Sequence, residues 1–246
     1  TGSREMLKRA FDILFAAGLL LAISPVMAWA LWRVWRFDGQ DPIYRAPRVG
    51  RGGSDFAMMK IRSMSVGADR SGLASTSNTD ARITPVGHFI RRYKLDELSQ
   101  LWNVLRGEMS VVGPRPQIRE GGVDRYTPAE MHLLDVRPGI TDLSSIVFSD
   151  EGAILSEWDD ADAAYERLIR PWKSRLGLFY VANRTLAMDV RLIWLTAVGI
   201  VSRPRALAGV ERILKRHGAG DALIRVARRD APLEPALPPT MAREAT

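Results

Sequence analysis

From Ile13 to Trp32 the chain runs for twenty residues without a charge, "ILFAAGLLLAISPVMAWALW". At about 1.5 Å per residue, such a helix matches the roughly 30 Å of hydrocarbon in a bilayer. Charged residues follow it and no small-residue cleavage pattern does, so it reads as a membrane segment and not a cleavable signal peptide. Ser24 and Pro25 interrupt its middle. Proline removes one amide donor and its ring crowds the carbonyl of Leu21, so a kink is expected there. Ser24 is placed to satisfy a freed carbonyl. Both flanks are basic, with Arg4, Lys8 and Arg9 before and Arg33, Arg36, Arg45 and Arg48 after. The preference of such residues for the cytoplasmic side draws both ends to one face. A straight span and a helix that enters, bends and leaves by the same face both remain open on these features.

The remainder is globular in composition. The 246 residues are 46% hydrophobic and 26% charged, enough for a buried core in one or two domains. A formal charge of +7 favours an anionic partner: nucleic acid, an anionic membrane or a phosphorylated substrate. The absence of cysteine excludes disulfides, thiolate metal sites and a Cys nucleophile. After "FDGQDP" ends the first helix, "IYRAPRVGRGGSDFAMMKIRSM" reads as a hairpin, and "SVGADRSGLASTSNTDARIT" as a mobile loop. The chain from Pro85 to about Arg106 reads as helical. "RPGITDLSSIVF" reads as a turn and a strand-like run, and residues 159–199 as mostly helical. Within "LIWLTAVGIV" the apolar run is too short to span, which suggests a core or interfacial helix. The tail from about residue 230 has a disordered composition.

The stretch "RRYKLDELSQLWNVLRGEMSVVGPRP" carries the chemistry. Leu95, Leu98, Leu101, Trp102 and Leu105 share a helical face, and Asp96 and Glu97 lie off it. Two acids in a first turn are favourable to a helix dipole without any further role. Here Arg91 and Lys94 precede them, and a phosphate held by those cations would lie within reach of the carboxylates. A carboxylate can attack phosphorus to give an acyl-phosphate, and a second can hold a divalent ion. In "VVGPRP", Pro114 and Pro116 present Arg115 rigidly, which suits a bidentate grip on phosphate. Lys60 and Arg62 in "KIRSM" form another cationic element. His88, His132 and His217 lack metal-ligand spacing and read as structural or surface residues. No glycine-rich nucleotide loop is present.

The ordered set "KRAFDILFAAGLLLAISP", "RVGRGGSDFAMMKIRSM", "TPVGHFIRRYKLDELSQLWNVLRGEMSVVGPRP" and "RPGIT" resembles the bacterial sugar transferases, the monotopic phosphoglycosyl transferases, over roughly residues 6–200. The resemblance implies transfer of a sugar-1-phosphate from a UDP-sugar to undecaprenyl phosphate with release of UMP, as a first membrane step of glycoconjugate or exopolysaccharide assembly. It implies Asp96 as nucleophile, Glu97 as a metal ligand beside it, Mg²⁺ or Mn²⁺ as cofactor, and a helix broken at Ser24–Pro25. Arg91 and Arg115, with Lys60, Arg62 and Arg137, would hold phosphates and nucleotide. After "RPGIT" many members continue with a Gly-Trp type sequence; "DLSSIVFSDEGAIL" departs from it and leaves the sugar open.

The expected fold is α+β and mostly helical: a re-entrant membrane helix over 4–37, a catalytic domain over 38–204 with amphipathic interfacial helices, and a partly disordered C-terminal extension over 205–246. The resemblance is to the family's minimal catalytic form. It places the chain on the cytoplasmic face of the bacterial inner membrane, in contact with the phospholipid bilayer. Downstream glycosyltransferases and a second copy are compatible partners; nucleic acid is not expected. The reading from another class is a membrane-anchored basic protein that binds nucleic acid or anionic lipid without catalysis. That reading leaves the Asp-Glu pair without a role.

Overall fold

The structure, a computed structural model, describes residues 2–68 and 81–240. The chain divides into two compact units, residues 1–48 with 55–111, and residues 49–54 with 112–246. Most described residues are helical, with short strands, as the mostly helical α+β expectation has it. Most of the polar loop expected before Thr84 lies outside the described residues.

The first unit opens with α1 (Gly2–Asp38), which continues as helix through Pro25. It is long and apolar enough to cross a membrane. The Ser24 hydroxyl donates to the Leu21 carbonyl at 2.8 Å, the group that Pro25 leaves without an amide. The burial of α1 comes at its two ends. Asp12 and Ala16 are buried near one end, and Met27, Ala30 and Val34 near the other. No residue between Ala16 and Met27 is buried. Leu14 and Leu21 are more than 70% exposed, and Trp29, Trp32 and Trp35 also face outward.

Two sets of contacts hold those ends. Arg9 donates to the carbonyls of Val104 (2.6 Å) and Leu105 (3.0 Å), in the last turn of α4 (Leu101–Arg106). A cation there offsets the negative end of the helix dipole. Buried Asp12 accepts from Lys8, Ser110 Oγ and Val111 N at 3.1–3.3 Å. At the other end, Met27, Ala30 and Val34 pack with Ile61, Ile90 and Leu95 in one hydrophobic cluster.

The expected hairpin is present as β1 (Ile43–Val49) and β2 (Asp55–Ile61), its turn eased by Gly52 and Gly53 at positive φ. The helical run after Pro85 is not one helix. It divides into α2 (Pro85–Arg92), α3 (Leu95–Leu98) and α4. Thr84 caps α2 by accepting from Gly87 N at 2.9 Å. Lys94 adopts the left-handed conformation (φ 52°), which turns a corner no hydrophobic periodicity reveals.

β3 (Ser110–Val112) ends where the second unit begins. In that unit Gly113 N donates to Thr141 O, and Gly139 N to Pro114 O, both at 3.0 Å. These bonds join "VVGPRP" to β4 (Gly139–Thr141) of "RPGIT". A Cβ on Gly139 would lie 2.0 Å from the amide nitrogen of Gly113, so only glycine permits the approach.

The strand-like run after β4 is instead helix α5 (Leu143–Val147). Asp142 accepts from Ser145 N, and the Ser145 hydroxyl accepts from Asp142 N, a reciprocal cap that starts a helix. Burial on nearly all sides erased the periodicity that would have marked it. Two short helices follow, α6 (Glu151–Leu155) and α7 (Ala161–Ala164). A π-helical turn over Tyr165–Ile169 leads into α8 (Arg170–Asn183). Then come α9 (Leu186–Val201), α10 (Arg203–Arg216) and α11 (Asp221–Arg228).

Disorder was expected of the tail. Residues 230–240 run instead along this unit, with Trp172 Nε1 donating to Glu234 O (3.1 Å), Ala236 N to Arg167 O (3.0 Å) and Arg175 to Leu237 O (2.8 Å). These partners lie some sixty residues away in sequence, where composition carries no signal of them. Residues 241–246 lie outside the described ones.

Candidate active site

Asp96 and Glu97 occupy the single turn of α3, directly after the Lys94 corner. Both are half-buried. The turn is pinned to β2 by Ser99, whose hydroxyl lies 3.0 Å from the Met59 carbonyl and 2.8 Å from that of Asp96. Asn103, fully buried, extends the edge of β2 as a side-chain rung. Its Oδ1 accepts from Met59 N (2.9 Å) and its Nδ2 donates to Ala57 O (2.8 Å). Periodicity reads Ser99 and Asn103 as ordinary polar positions; only the arrival of β2 gives them their roles.

Burial pushes the Asp96 carboxyl above its ordinary range, and the charge of Glu97 adds to this, while Lys60 and Arg91 pull it back down. Lys60 lies on β2 and Arg91 on α2, and both act on Asp96 through their charge. Arg91 is oriented by Ser63, its Nε donating to the Ser63 hydroxyl at 2.9 Å. Gln100, one turn beyond Asp96, is buried, and its Nε2 has no hydrogen-bond partner among the described residues. A buried amide without a partner is costly unless something outside the chain satisfies it.

Arg62, assigned by resemblance to the substrate, is engaged elsewhere. Its guanidinium forms a fork on Asp38 at 2.5 and 2.7 Å and donates to Asp41 O at 2.9 Å. Buried to 9% exposure, it ties the end of α1 to the end of β2. Ser63, its neighbour, is the residue of this segment that meets Arg91.

Arg115 lies in the second unit and lines a cavity of about 60 Å³ with Gln117, Tyr126, Ser144, Tyr165, Arg170 and Lys173. Ser144 comes from the segment that departs from the family pattern. Fully buried Glu130 anchors one wall, accepting from Ser174 Oγ (2.6 Å), Thr127 N (2.9 Å) and Arg170 (3.2 Å). Burial, reinforced by nearby carboxylates, raises the phenols of Tyr126 and Tyr165, so both stay neutral hydroxyls. Arg137 is half-buried beside the Gly113–Gly139 approach, its carbonyl oxygen 2.5 Å from where a Gly113 Cβ would stand.

No group of three or more His, Cys, Asp or Glu among the described residues forms a ready-made metal cage. Two adjacent carboxylates still fit a hard cation such as Mg²⁺, which takes one or two carboxylates and completes its shell with water and phosphate oxygens.

Residues 3–203 match the bacterial sugar transferase family. The chain belongs to that family. Among its bacterial sugar transferase relatives is the undecaprenyl-phosphate galactose phosphotransferase of Salmonella typhimurium, 34% identical over 83% of this chain and 42% of that protein. Another is the undecaprenyl-phosphate glucose phosphotransferase of Komagataeibacter xylinus, 36% identical over 77% of this chain and 35% of that protein. The exopolysaccharide production protein PSS of Rhizobium leguminosarum is 34% identical over 80% of this chain and 96% of its own length. The chain thus spans about two fifths of the length of the first two. The family match ends at residue 203, so nearly all of α10, α11 and the docked tail lie beyond it.

Proposed function

We propose that this sugar transferase moves a sugar-1-phosphate from a UDP-sugar to undecaprenyl phosphate at the cytoplasmic face of the inner membrane. The observation that carries the reading is the Asp96–Glu97 turn, half-buried and under the opposing charge of Lys60 and Arg91, within the family-matching segment. A carboxylate oxygen of Asp96 attacks the β-phosphorus, and the bond from that phosphorus to the bridging oxygen breaks. UMP leaves with the bridging oxygen, and the sugar-phosphate remains on Asp96 as an acyl-phosphate. A phosphate oxygen of undecaprenyl phosphate then attacks the same phosphorus, restoring the Asp96 carboxylate and giving the lipid diphosphate sugar. That product is the acceptor for subsequent glycosyl transfer.

Lys60 and Arg91 offset charge on the phosphoryl oxygens, and Ser63 fixes the direction of Arg91. Gln100 Nε2 is a spare donor for one phosphoryl oxygen. Mg²⁺ bound by Glu97 and Asp96 would supply further charge neutralisation. The resemblance gives Arg115 and Arg137 a role in holding the nucleotide-sugar, and Arg115 lines a cavity of hydroxyls and paired charges. The names of the relatives support a hexose donor.

The contacts of α1 support the re-entrant topology. Arg9 and Asp12 near its start, and Met27 to Val34 near its end, are held by the same compact unit, while Ser24 and Pro25 themselves are exposed. A helix crossing the bilayer would put those ends on opposite sides, and one unit would have to reach both. The exposed apolar face of α9, with Val190, Trp194, Ile200 and Val201, fits an element lying in the interface.

The deciding experiment is UMP release from UDP-sugar and Mg²⁺ with and without undecaprenyl phosphate, over a panel of UDP-sugars. Release of up to one UMP per chain without lipid, and turnover with it, supports the reading. No UMP from any sugar in either condition overturns it.

A further inference from the structure

Between α9 and α10 lies a groove of about 390 Å³ for which the transfer chemistry has no use. Its floor is apolar, formed by Trp194, Leu195 and Ile213. Its rim carries Arg191, Arg212 and Arg216, all exposed. Gly209 shapes the floor: a Cβ there would stand 2.2 Å from a methyl of Leu195, so the helices touch closely at that point.

No carboxylate lines the groove. The one acid of α9, Asp189, is buried with an oxygen 2.6 Å from the Tyr180 hydroxyl. The one acid of α10, Glu211, pairs with Lys215 (2.7 Å) and Arg228 (2.8 Å) and lines a different cavity. Three guanidinium groups therefore share an apolar floor with no acid among them. The groove also continues into the exposed stripe of Val190, Trp194, Ile200 and Val201 on α9, whose spacing keeps them on one helical face. Tryptophan over an apolar stripe with cations alongside is the pattern of an element at a bilayer surface.

We infer that this groove binds an anionic membrane phospholipid. The arginines take the headgroup phosphate, and Trp194, Leu195 and Ile213 take the first part of an acyl chain. A free phosphate would leave that floor unused, and a zwitterionic lipid would leave the cations uncompensated. Arg212 and Arg216 lie beyond the family match, whereas Arg191, Trp194 and Leu195 lie within it, so the groove forms where the extension packs on the family-matching segment. The proposal needs the chain at a membrane but not the transfer reaction.

The test is native mass spectrometry of the full chain in detergent, titrated with dioleoylphosphatidylglycerol or dioleoylphosphatidylcholine. Wild type should retain the anionic lipid over the zwitterionic one, and each exposed arginine changed to glutamine should lower that retention about fivefold. The variant Arg191→Gln/Arg212→Gln/Arg216→Gln should lose the preference altogether. Arg203→Gln, in the neighbouring cavity, should keep it. Millimolar inorganic phosphate should not displace the lipid. Equal retention of the two lipids, an unchanged triple variant, or displacement by inorganic phosphate would each overturn the site. UMP release by the triple variant checks its fold. Lipid retention without UMP release by wild type would leave the groove standing and the transfer reading fallen.

Discussion

The Ser24 hydroxyl donates to the carbonyl of Leu21, the carbonyl from which Pro25 withholds an amide. The proline position in α1 thus carries its own hydrogen-bond compensation, and the helix continues through it, which matters where no water is available. Single cysteines at Ser3 and Gln40, in a chain with no native cysteine, should be labelled by an impermeant reagent from the same side of the inner membrane. Pro25→Ala restores the amide and should shift a fraction of chains to labelling from opposite sides. Opposite-side labelling of the parent would exclude the re-entrant form.

Asp96→Asn should lower UMP release by at least about 10³-fold, because a neutral amide is a far poorer nucleophile of nearly the same shape. With UDP-sugar alone, the wild type should carry a hydroxylamine-labile mass increment on the peptide containing Asp96. Glu97→Gln, or EDTA treatment, should remove most activity without changing the melting temperature. Full activity in EDTA would exclude the divalent ion.

Gln100 separates a structural from a chemical use of a buried amide. Its Nε2 has no partner among the described residues, so Gln100→Leu should leave stability unchanged or raised. If the amide serves the phosphoryl group, the same variant should lose about 10- to 100-fold in kcat. Unchanged kcat would remove Gln100 from the site.

The Asp38–Arg62 fork gives the fold a pH dependence. Hydrogen bonds from Arg62, the largest cause, hold the Asp38 carboxyl down at about 2, against 3.8 ordinarily. A depressed carboxyl stabilises the fold above its unfolded value, and that stabilisation fades as pH falls from about 4 toward 2. Asp38 lies outside the uncharged stretch and its side chain is 25% exposed, so solvent screening limits the contribution to about 1–2 kcal/mol. Asp38→Asn should lose that amount at pH 7 and show a flatter acid limb in denaturant melts from pH 5 to 2.

Gly139→Ala should cost at least about 2 kcal/mol, read as a lower melting temperature, because the new methyl meets the backbone of Gly113 and not a movable side chain. Gly152→Ala, where nothing lies within 4 Å, is the control and should be neutral.

Sequence by itself determined the elements whose signal is local. The uncharged run at Ile13–Trp32, the Ser24–Pro25 pair within it, the hairpin before Met64 and the Asp96–Glu97 pair follow from composition, periodicity and adjacency, which short-range sterics and hydration fix. What depended on distant partners was not legible. Arg62 reads as a free cation until Asp38 arrives from the end of α1, and Ser63 reads as filler until Arg91 turns toward it. The left-handed Lys94 breaks one apparent helix into three, and α5 resembles a strand because burial on nearly all sides hides its period. The tail looks disordered by composition, yet the carbonyls of Glu234 and Leu237 find donors on α8. Only the tertiary structure decides such cases, because a side chain's role is set by which groups share its desolvated surroundings, and those come from anywhere in the chain.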